Sequence, residues 1–355
     1  MKNLFFSICI LSSSIYAQNT VCFEIEANPN SDDPALAAFT KYVNVLDCFE
    51  IYAEASISDA KVLHAAAISA ELLDNNEDGI VDDPLLKIQL STSKALMPLL
   101  ASEGSVGENA LFDNYEGEGI SAVLYNNEID PTQPGHWGND ATVEEILHTI
   151  NHVGHTFVYP NAFSMSPNSS LMSAAMDVAR GGQFTTIPST YPEEAWYHYD
   201  DYTCDYECMA IEYMYWAIVS NMGILNDAST CSGIANEWEP CNPELFQSMD
   251  VLMYNLITDS QYLLPQNAPD GNYCPEGVSL LESEYSSMVI YPNPCKTSFN
   301  YTAKNEGTVN IYSIEGALIL TSSISIGLNN IDISQLNKGF YISKTDKSST
   351  KLIIQ

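Results

Sequence analysis

The chain has 355 residues, of which 46% are hydrophobic, and this content excludes a largely disordered protein. Its formal charge of −34 is concentrated, because residues 18–285 carry 42 of the 46 carboxylates and only five of the twelve basic residues. So acidic a region repels nucleic acid and anionic lipid, which leaves divalent cations and cationic surfaces as expected partners. A solvated surface that tolerates salt is the alternative.

The first 17 residues predict a signal peptide. Lys2 gives a positive start, an apolar and serine-rich stretch runs from Leu4 to Ile15, and Ala17 ends a small-residue cleavage site. The apolar stretch is too short for a membrane-spanning helix, and no later apolar run is long enough for one. We therefore expect export through the periplasm to a secreted or cell-surface location, without a membrane span.

Cysteine usage agrees with export. An even number of cysteines after the signal peptide predicts a disulfide framework in an exported chain. The pairing stays open, although Cys22–Cys48 and Cys231–Cys241 are attractive local pairs. The eight positions are Cys22, Cys48, Cys204, Cys208, Cys231, Cys241, Cys274 and Cys295.

Residues 18–103 are predicted to form a helical region with a calcium-type loop. Apolar residues recur at three- and four-residue spacing over Leu36 to Phe49 and over Asp59 to Leu73, which predicts two helices. The following loop resembles the front of an EF-hand loop, with side-chain oxygens at positions one, three and five and Gly79 at the sixth. The twelfth position is Leu85 instead of the usual glutamate.

The EF-hand resemblance implies a structural calcium ion. Without the glutamate at position twelve, one of the two aspartates at the end of the loop would have to replace it. An Asx-rich turn that binds no metal is the alternative. The candidate calcium ligands are Asp74, Asn76, Asp78, the Ile80 carbonyl, Asp82 and Asp83.

Residues 104–264 form the region where we expect a metal site. Residues 104–140 are rich in Gly, Asn, Asp and Pro and predict loops with a strand over Ser121 to Tyr125. Helices are predicted over 142–153, 170–179, 205–222 and 243–257. Residues 265–285 are predicted to be a linker.

The predicted helix over 142–153 carries candidate metal ligands. One face of this helix, extended by the residues that follow it, carries Glu144, Glu145, His148, His152 and His155. His148 and His152 are spaced to bind one zinc ion, which resembles the His-Glu-x-x-His pair of zincin metallopeptidases. Thr149 replaces the zincin glutamate, so Glu145 or Glu144 is the candidate general base. The alternative is a polar, solvated helix face.

Glu212 is the candidate third zinc ligand. It is a lone carboxylate in an apolar predicted helix, and burying an ionised carboxylate is costly unless it is paired or bound to a metal. The zincin resemblance implies a third ligand from a later helix, and Glu212 follows His152 by sixty residues. The alternative partner of Glu212 is Arg180, the only arginine in the chain.

Residues 191–216 interleave nine aromatic residues with acidic ones, as clefts for sugars or cationic peptides do. Most of these aromatic residues are expected in the core, and a subset is expected to contact a ligand. An extracellular peptide or glycan is the corresponding substrate class. The candidate substrate contacts are His155, Tyr197, His198 and Arg180.

From Tyr285 onwards, short alternating strands separated by Asn-Pro, Glu-Gly and Lys-Gly turns predict a β-sandwich over 286–355. Four of its motifs resemble the C-terminal sorting domain of type IX secretion substrates: Tyr291-Pro-Asn-Pro294, Val309-Asn-Ile-Tyr312 with the following Glu315-Gly316, Gly327 to Ser334, and Leu336-Asn-Lys-Gly-Phe-Tyr341. This resemblance implies export across the outer membrane by the type IX secretion machinery, usually with removal of the domain.

These observations predict an α+β fold, with a mostly helical, zincin-like main region followed by a C-terminal all-β immunoglobulin-like sandwich. The leading functional hypothesis is a secreted zinc-dependent hydrolase, similar to metallopeptidases, with a structural calcium site. A non-enzymatic calcium-binding surface or adhesion protein with a degenerate metal site is the first alternative. A protein that binds or cleaves carbohydrate is the second.

Overall fold

The computed structural model describes residues 23–132, 140–273, 290–313, 317–345 and 349–355. The chain divides into two compact units, one within residues 1–276 and the other within residues 277–355. The first unit combines helices with a sheet and the second contains strands, so the predicted α+β class is confirmed. The predicted signal peptide, and the predicted linker beyond residue 273, lie outside the described residues.

The first unit is built on a five-stranded sheet whose strands follow sequence order. The strands are β1 (Glu26–Ala27), β2 (Phe39–Val45), β3 (Phe49–Glu54), β4 (Leu96–Leu100) and β5 (Leu124–Tyr125). β1, β2 and β3 pair antiparallel, whereas β4 and β5 continue the sheet in parallel. Because β4 and β5 are neighbours, the predicted boundary between residues 103 and 104 falls inside this sheet.

The helix predicted over Leu36 to Phe49 is wrong, because most of this stretch forms β2 and the turn into β3. Leu46 and Asp47 take left-handed backbone angles (φ 50° and 59°), which reverse the chain between the two strands. Val45 is fully buried, as are most residues of β3. A short apolar run in a buried strand lacks a clear period-two pattern, so the sequence did not distinguish it from a helix.

Helices form most of the rest of the described part of the first unit. They are α1 (Asp59–Leu73), α2 (Pro84–Ser93), α3 (Val106–Asn114), α4 (Thr142–Thr149), α5 (Thr156–Val158), α6 (Pro160–Phe163), α7 (Leu171–Ala179), α8 (Tyr206–Asn221), α9 (Ala228–Ile234), α10 (Pro243–Met249) and α11 (Val251–Ile257), with a 3-10 helix at Asn126–Glu128. The helices predicted over 59–73, 170–179 and 205–222 are confirmed as α1, α7 and α8.

Two other stretches differ from the prediction. α3 lies in residues that were predicted to be loops. The helix predicted over 243–257 is divided at Asp250, whose carboxylate accepts hydrogen bonds from the Met253 amide (3.1 Å), the Tyr213 hydroxyl (2.6 Å) and the Trp196 indole (3.0 Å). A buried carboxylate with three donors ends one helix and caps the next.

α4 continues into a π-helical turn, Ile150–His155, and then into α5. A π-helical turn is wider than an α-helical one, so it rotates the later side chains away from their expected positions. Gly154 lies in this turn, where a Cβ atom would come within 2.4 Å of Leu86 on α2. The absence of a side chain at Gly154 therefore lets α2 pack closely against the turn.

The second unit has two sheets around a core of its own. Its strands are β6 (Ile290–Tyr291), β7 (Ser298–Ala303), β8 (Gly307–Tyr312), β9 (Leu318–Ile324), β10 (Gly327–Asp332), β11 (Gly339–Lys344) and β12 (Ser349–Ile354). One sheet has the order β10-β7-β6 and the other β12-β11-β8-β9, and all pairs are antiparallel. Phe299 and Ile331 of the first sheet share a core with Val309 and Leu352 of the second. The immunoglobulin-like type stays a prediction.

Disulfides link two cysteine pairs in the described part of the first unit. Cys231–Cys241 was predicted, and Cys204–Cys208 was not. The predicted Cys22–Cys48 pair involves Cys22, which lies outside the described residues. Among the helices of the described ranges, none has both the length and the apolar content needed to cross a bilayer.

Candidate metal centre

Three side chains from two helices converge in the first unit. Glu144 and His148 lie one turn apart on α4, and Glu212 projects from α8. One potential ligand atom of each lies within 4.8 Å of the other two. Among the described residues, no other three side chains of His, Cys, Asp or Glu meet this condition. The structure thus brings together three of the predicted site residues and leaves His152 outside the group.

A buried contact between a histidine and an aspartate holds the start of α4. Nε2 of His64 on α1 lies 2.8 Å from Oδ2 of Asp140, and both side chains are buried. The other oxygen of Asp140 accepts hydrogen bonds from the backbone amide (3.3 Å) and hydroxyl (2.5 Å) of Thr142. These contacts set the direction of the helical turn that carries Glu144. His64 and Asp140 were not among the predicted site residues, because 76 residues separate them and no local motif marks the pair.

His148 lies between two carboxylates. Its Nδ1 is 3.6 Å from Oε2 of Glu145, and its Nε2 is 3.4 Å from Oε2 of Glu212. The side chain is only 10% exposed, and its buried Nε2 makes no hydrogen bond. An imidazole that bonds a metal through one nitrogen commonly has a carboxylate at the other. Glu145 therefore occupies the position of an orienting partner, and Nε2 the position of a ligand atom.

Like charges shift the pKa values of this group. Burial is the main cause that raises the pKa of Glu144 to about 7; His148 opposes this shift, and the charges of Glu145 and Glu212 add to it. Burial lowers the pKa of His148, but the charges of Glu212 and Glu145 outweigh burial and hold it well above its usual value. In the absence of a cation, protons therefore supply the positive charge in this group.

A fourth carboxylate belongs to the same electrostatic environment. Glu237 accepts a 2.7 Å hydrogen bond from the indole of Trp216, which lies one turn after Glu212 on α8. The pKa of Glu237 is raised to about 7, mainly by burial and also by the charge of Glu212, against the effect of the Trp216 hydrogen bond. Glu237 was not among the predicted site residues, since it lies in no recognisable motif. A bridge between the backbones of Tyr197 and Trp238 brings its segment into place.

The remaining residues of the predicted zinc-binding face do not join the group. His152 lies in the π-helical turn, and its Nδ1 is 2.8 Å from the Ser121 hydroxyl. His155 is buried with its Nδ1 2.9 Å from Oδ1 of Asn151, and burial lowers its pKa to about 4. Thr149, in the position of the zincin glutamate, is fully buried. His148 and His155 are thus buried, whereas Glu144, Glu145 and His152 are half-buried.

Arg180 is buried away from any carboxylate partner. Its guanidinium donates hydrogen bonds to the Phe184 carbonyl (2.7 Å) and the Tyr191 hydroxyl (3.3 Å). The same group lies 5.4 Å and 5.5 Å from the centroids of those two rings. In the part of the chain that the structure describes, Arg180 forms no ion pair, so the alternative pairing with Glu212 does not occur there.

The aromatic segment is mostly core, as expected. Tyr197 is fully buried and donates to the Met209 carbonyl (2.8 Å), while Nε2 of His198 lies 2.8 Å from the Ala195 carbonyl. Tyr202, by contrast, is 85% exposed. The buried members of the segment are Tyr197, Tyr206, Tyr213, Tyr215 and Trp216.

The calcium-type loop joins α1 to α2. Asp74 is buried, and its carboxylate accepts hydrogen bonds from the amides of Asp78 (3.1 Å) and Gly79 (2.7 Å) and from the Tyr273 hydroxyl (2.6 Å). The two amide hydrogen bonds to Asp74 join the start of the loop to its middle. Calcium binding by Asp74, Asn76, Asp78, Ile80, Asp82 and Asp83 stays a prediction.

The two aspartates at the end of the loop differ. Asp83 caps α2 by accepting the Leu85 amide (2.8 Å), and its other oxygen accepts the Tyr159 hydroxyl (2.8 Å). Asp82 accepts the Asn75 amide (2.9 Å) and so remains bonded within the loop. Its other oxygen accepts the side-chain amide of Asn76 (3.2 Å), so both oxygens of each aspartate already accept hydrogen bonds.

Comparisons with known proteins identify the second unit. Residues 289–355 match the family described as Secretion system C-terminal sorting domain. The predicted type IX sorting domain is thereby confirmed, and with it interaction with the type IX secretion machinery and secretion or attachment at the cell surface. Neither the curated proteins nor the solved structures contain a match. The function of the first unit therefore has to be inferred from its own residues.

Proposed function

We propose that the first unit of this exported protein is a zinc-dependent hydrolase whose zinc ligands are Glu144, His148 and Glu212. The proposal is carried by the convergence of one ligand atom from each residue within 4.8 Å. The buried Nε2 of His148, which has no hydrogen bond, supports it further. Imidazole and carboxylate ligands suit zinc, and three protein ligands leave the fourth position for water or substrate, as in catalytic zinc sites.

Two further carboxylates complete the proposed site. Glu145 orients the His148 ring through Nδ1 and increases the basicity of its Nε2. Glu237 is the proposed general base, because a pKa of about 7 suits proton transfer near neutral pH and Trp216 holds its side chain. Glu237 thus takes the role predicted from the sequence for Glu145 or Glu144, which here serve as orienting partner and ligand. Zinc at the site would polarise a substrate carbonyl and lower the pKa of a water molecule.

The acidic character of the first unit points to cationic substrates. Residues 18–285 contain 42 carboxylates and five basic residues. A field of this sign raises the local concentration of positively charged molecules. We therefore propose an extracellular peptide with basic residues as the substrate class.

The test is zinc analysis of the full-length protein together with hydrolysis of fluorogenic peptides that contain lysine or arginine. We expect one zinc ion per chain. Glu237→Gln should retain zinc and lower kcat by about 10²- to 10⁴-fold, because only the proton acceptor is removed. Glu239→Gln, at an exposed carboxylate two residues away, is the control and should retain activity. Protein that binds zinc but cleaves none of the peptides would contradict the proposed activity.

A non-enzymatic calcium-binding surface protein is the second candidate. The raised pKa of His148 favours it, because a protonated His148 neutralises Glu212 and Glu145 without any metal. The calcium-type loop would then hold the only ion that the first unit needs. Protein that binds calcium, but takes up no zinc from a buffer with excess zinc, would support this candidate and exclude the hydrolase.

A further inference from the structure

The calcium-type loop also holds a much later part of the chain. Residues 266–273 follow α11 without forming a helix or a strand, and they end three residues before the boundary of the first unit at residue 276. The hydrogen bonds that hold this segment reach back to residues 191 to 200 positions earlier in the chain. The place of the segment therefore depends on the loop and on the end of α1.

Asn75, in the loop, holds the start of the segment. Its Oδ1 accepts hydrogen bonds from the amides of Gln266 and Asn267, each at 2.8 Å, and its Nδ2 donates to the Asn267 carbonyl at 2.9 Å. The Asn75 carbonyl in turn accepts the side-chain amide of Asn267 at 3.3 Å. One loop residue thus satisfies backbone groups that no helix or strand satisfies here.

Two further hydrogen bonds hold the end of the segment. The Tyr273 hydroxyl donates to Oδ2 of Asp74 at 2.6 Å, and the Gly271 amide donates to Oε2 of Glu71 at 3.0 Å. The Tyr273 ring is buried and stacks on Phe23, with 5.8 Å between the ring centroids. The segment is therefore fastened at both ends.

The candidate calcium ligands hold Asn75 in place. Asn75 lies between Asp74 and Asn76, and its amide donates to Oδ2 of Asp82 at 2.9 Å. Oδ1 of Asp82 accepts the side-chain amide of Asn76 at 3.2 Å. A calcium ion bound by these three neighbours of Asn75 would also fix its backbone, from which its side chain reaches the segment.

The charges in this region give calcium a second effect. The loop contains Asp74, Asp78 and Asp82, Glu71 precedes it, and the segment carries Asp270. Within the described ranges, no lysine or arginine forms an ion pair with any of these five carboxylates. Like charges oppose the approach of the segment to the loop, and a divalent cation in the loop reduces this repulsion.

We propose that segment 266–273 is a calcium-dependent strap, which calcium in the loop fastens to the first unit and which loss of calcium releases. The docked strap must then raise the calcium affinity of the loop by the same factor by which calcium favours docking. A released strap exposes its backbone to extracellular proteases. Calcium therefore controls how easily the first unit is cut next to its boundary with the sorting domain.

The test is hydrogen exchange of the full chain, in calcium and in chelator, measured by mass spectrometry. The amides of Gln266, Asn267 and Gly271 report the strap, because they donate to side chains of the loop and α1. We expect calcium to slow exchange in peptides from this segment by about tenfold or more, since exchange requires the strap to open. Equal exchange in both buffers would overturn the proposal, whether or not calorimetry shows that the protein binds calcium.

Asn75→Ala separates the strap from the calcium ligands. The substitution removes the side chain that bonds the segment and leaves every candidate ligand in place. Exchange should be fast in both buffers, and calcium affinity should fall by the factor by which calcium slows exchange in the wild type. Asn161→Ala, at an exposed asparagine on α6, is the control and should behave like the wild type. Slow exchange in Asn75→Ala would contradict the strap.

Two other variants keep the test decisive if Asn75→Ala does not fold. Asp78→Asn removes a candidate ligand that does not touch the segment, so calcium should no longer slow exchange. Tyr273→Phe removes the hydrogen bond to Asp74 and keeps the ring on Phe23, so it should reduce the calcium effect only in part. Asp113→Asn, at an exposed carboxylate on α3, is the control for both. A full calcium effect in Asp78→Asn would overturn the proposal.

Digestion with chymotrypsin, whose hydrophobic pocket accepts aromatic side chains, tests the exposure to proteases. Tyr273 is buried while the strap is docked, so the wild type should be cut after Tyr273 more slowly in calcium than in chelator. In Asp78→Asn the two rates should be equal. Mass spectrometry of the products locates the cut, and equal rates in the wild type would refute the control by calcium.

Discussion

The proposed zinc site and the calcium-type loop gather their ligands in opposite ways. The loop takes its carboxylates from ten consecutive residues, and Asp74 accepts amide hydrogen bonds from the loop itself. The zinc site joins two helices whose ligands, His148 and Glu212, are 64 residues apart, and Nε2 of His148 has no hydrogen bond. A loop of this kind is therefore recognisable from spacing, whereas the zinc site becomes visible only through packing.

The largest expected effect is the loss of a zinc ligand. His148→Ala or Glu212→Gln should lower zinc affinity by more than about 100-fold. This loss is larger than the loss expected when a residue that only orients a ligand is replaced. Competition with a chromophoric chelator measures this affinity. Calcium binding by the loop should be unchanged in both variants. Retention of zinc by either variant would show that the two helices do not form the site.

Glu145→Gln should have a smaller effect on the same site. It removes the carboxylate 3.6 Å from Nδ1 of His148 but leaves the three proposed ligands. Loss of such an orienting partner typically lowers metal affinity by about 10- to 100-fold. The same zinc competition assay applies. An effect as large as that of His148→Ala would make Glu145 itself a ligand.

At pH values below the pKa of His148, zinc affinity should fall by about tenfold for each unit by which the pH decreases, because zinc must displace one proton from the ring. Since Glu212 and Glu145 hold this pKa well above its usual value, the fall should already be present at neutral pH. Zinc titrations between pH 6 and pH 9 measure it. In Glu145→Gln the pKa of His148 is lower, so the fall should move to lower pH. A flat profile would exclude His148 as a ligand.

In the loop, Asp78→Asn should remove part of the stabilisation that calcium provides. A ligand at ten times its Kd stabilises the folded state by about 1.4 kcal/mol, and denaturant unfolding with and without calcium measures the difference. Zinc binding should not change. Equal calcium stabilisation of wild type and variant would identify the loop as an Asx-rich turn without metal.

The smallest effect is expected for His152→Ala. His152 contacts the Ser121 hydroxyl and not the zinc site, so the variant should lose about 1 kcal/mol of stability and change zinc affinity by less than about twofold. A loss of zinc similar to that of His148→Ala would restore the zincin-like pair of histidines.

The sequence determined those features that depend on neighbouring residues. The sorting domain, α1, α7, α8, the Cys231–Cys241 bridge and the loop geometry around Gly79 each follow from a local pattern. The lone Glu212 in an apolar helix also indicated a site, because a buried carboxylate requires a partner.

Only the tertiary structure decided which residues meet. His152 and His155 lie in the π-helical turn and outside the group of Glu144, His148 and Glu212, and no periodicity in the sequence indicates such a turn. The backbone bridge at Trp238 brought Glu237 to α8. These contacts join residues far apart in the chain, and their energies depend on burial and charge, which the order of residues does not contain.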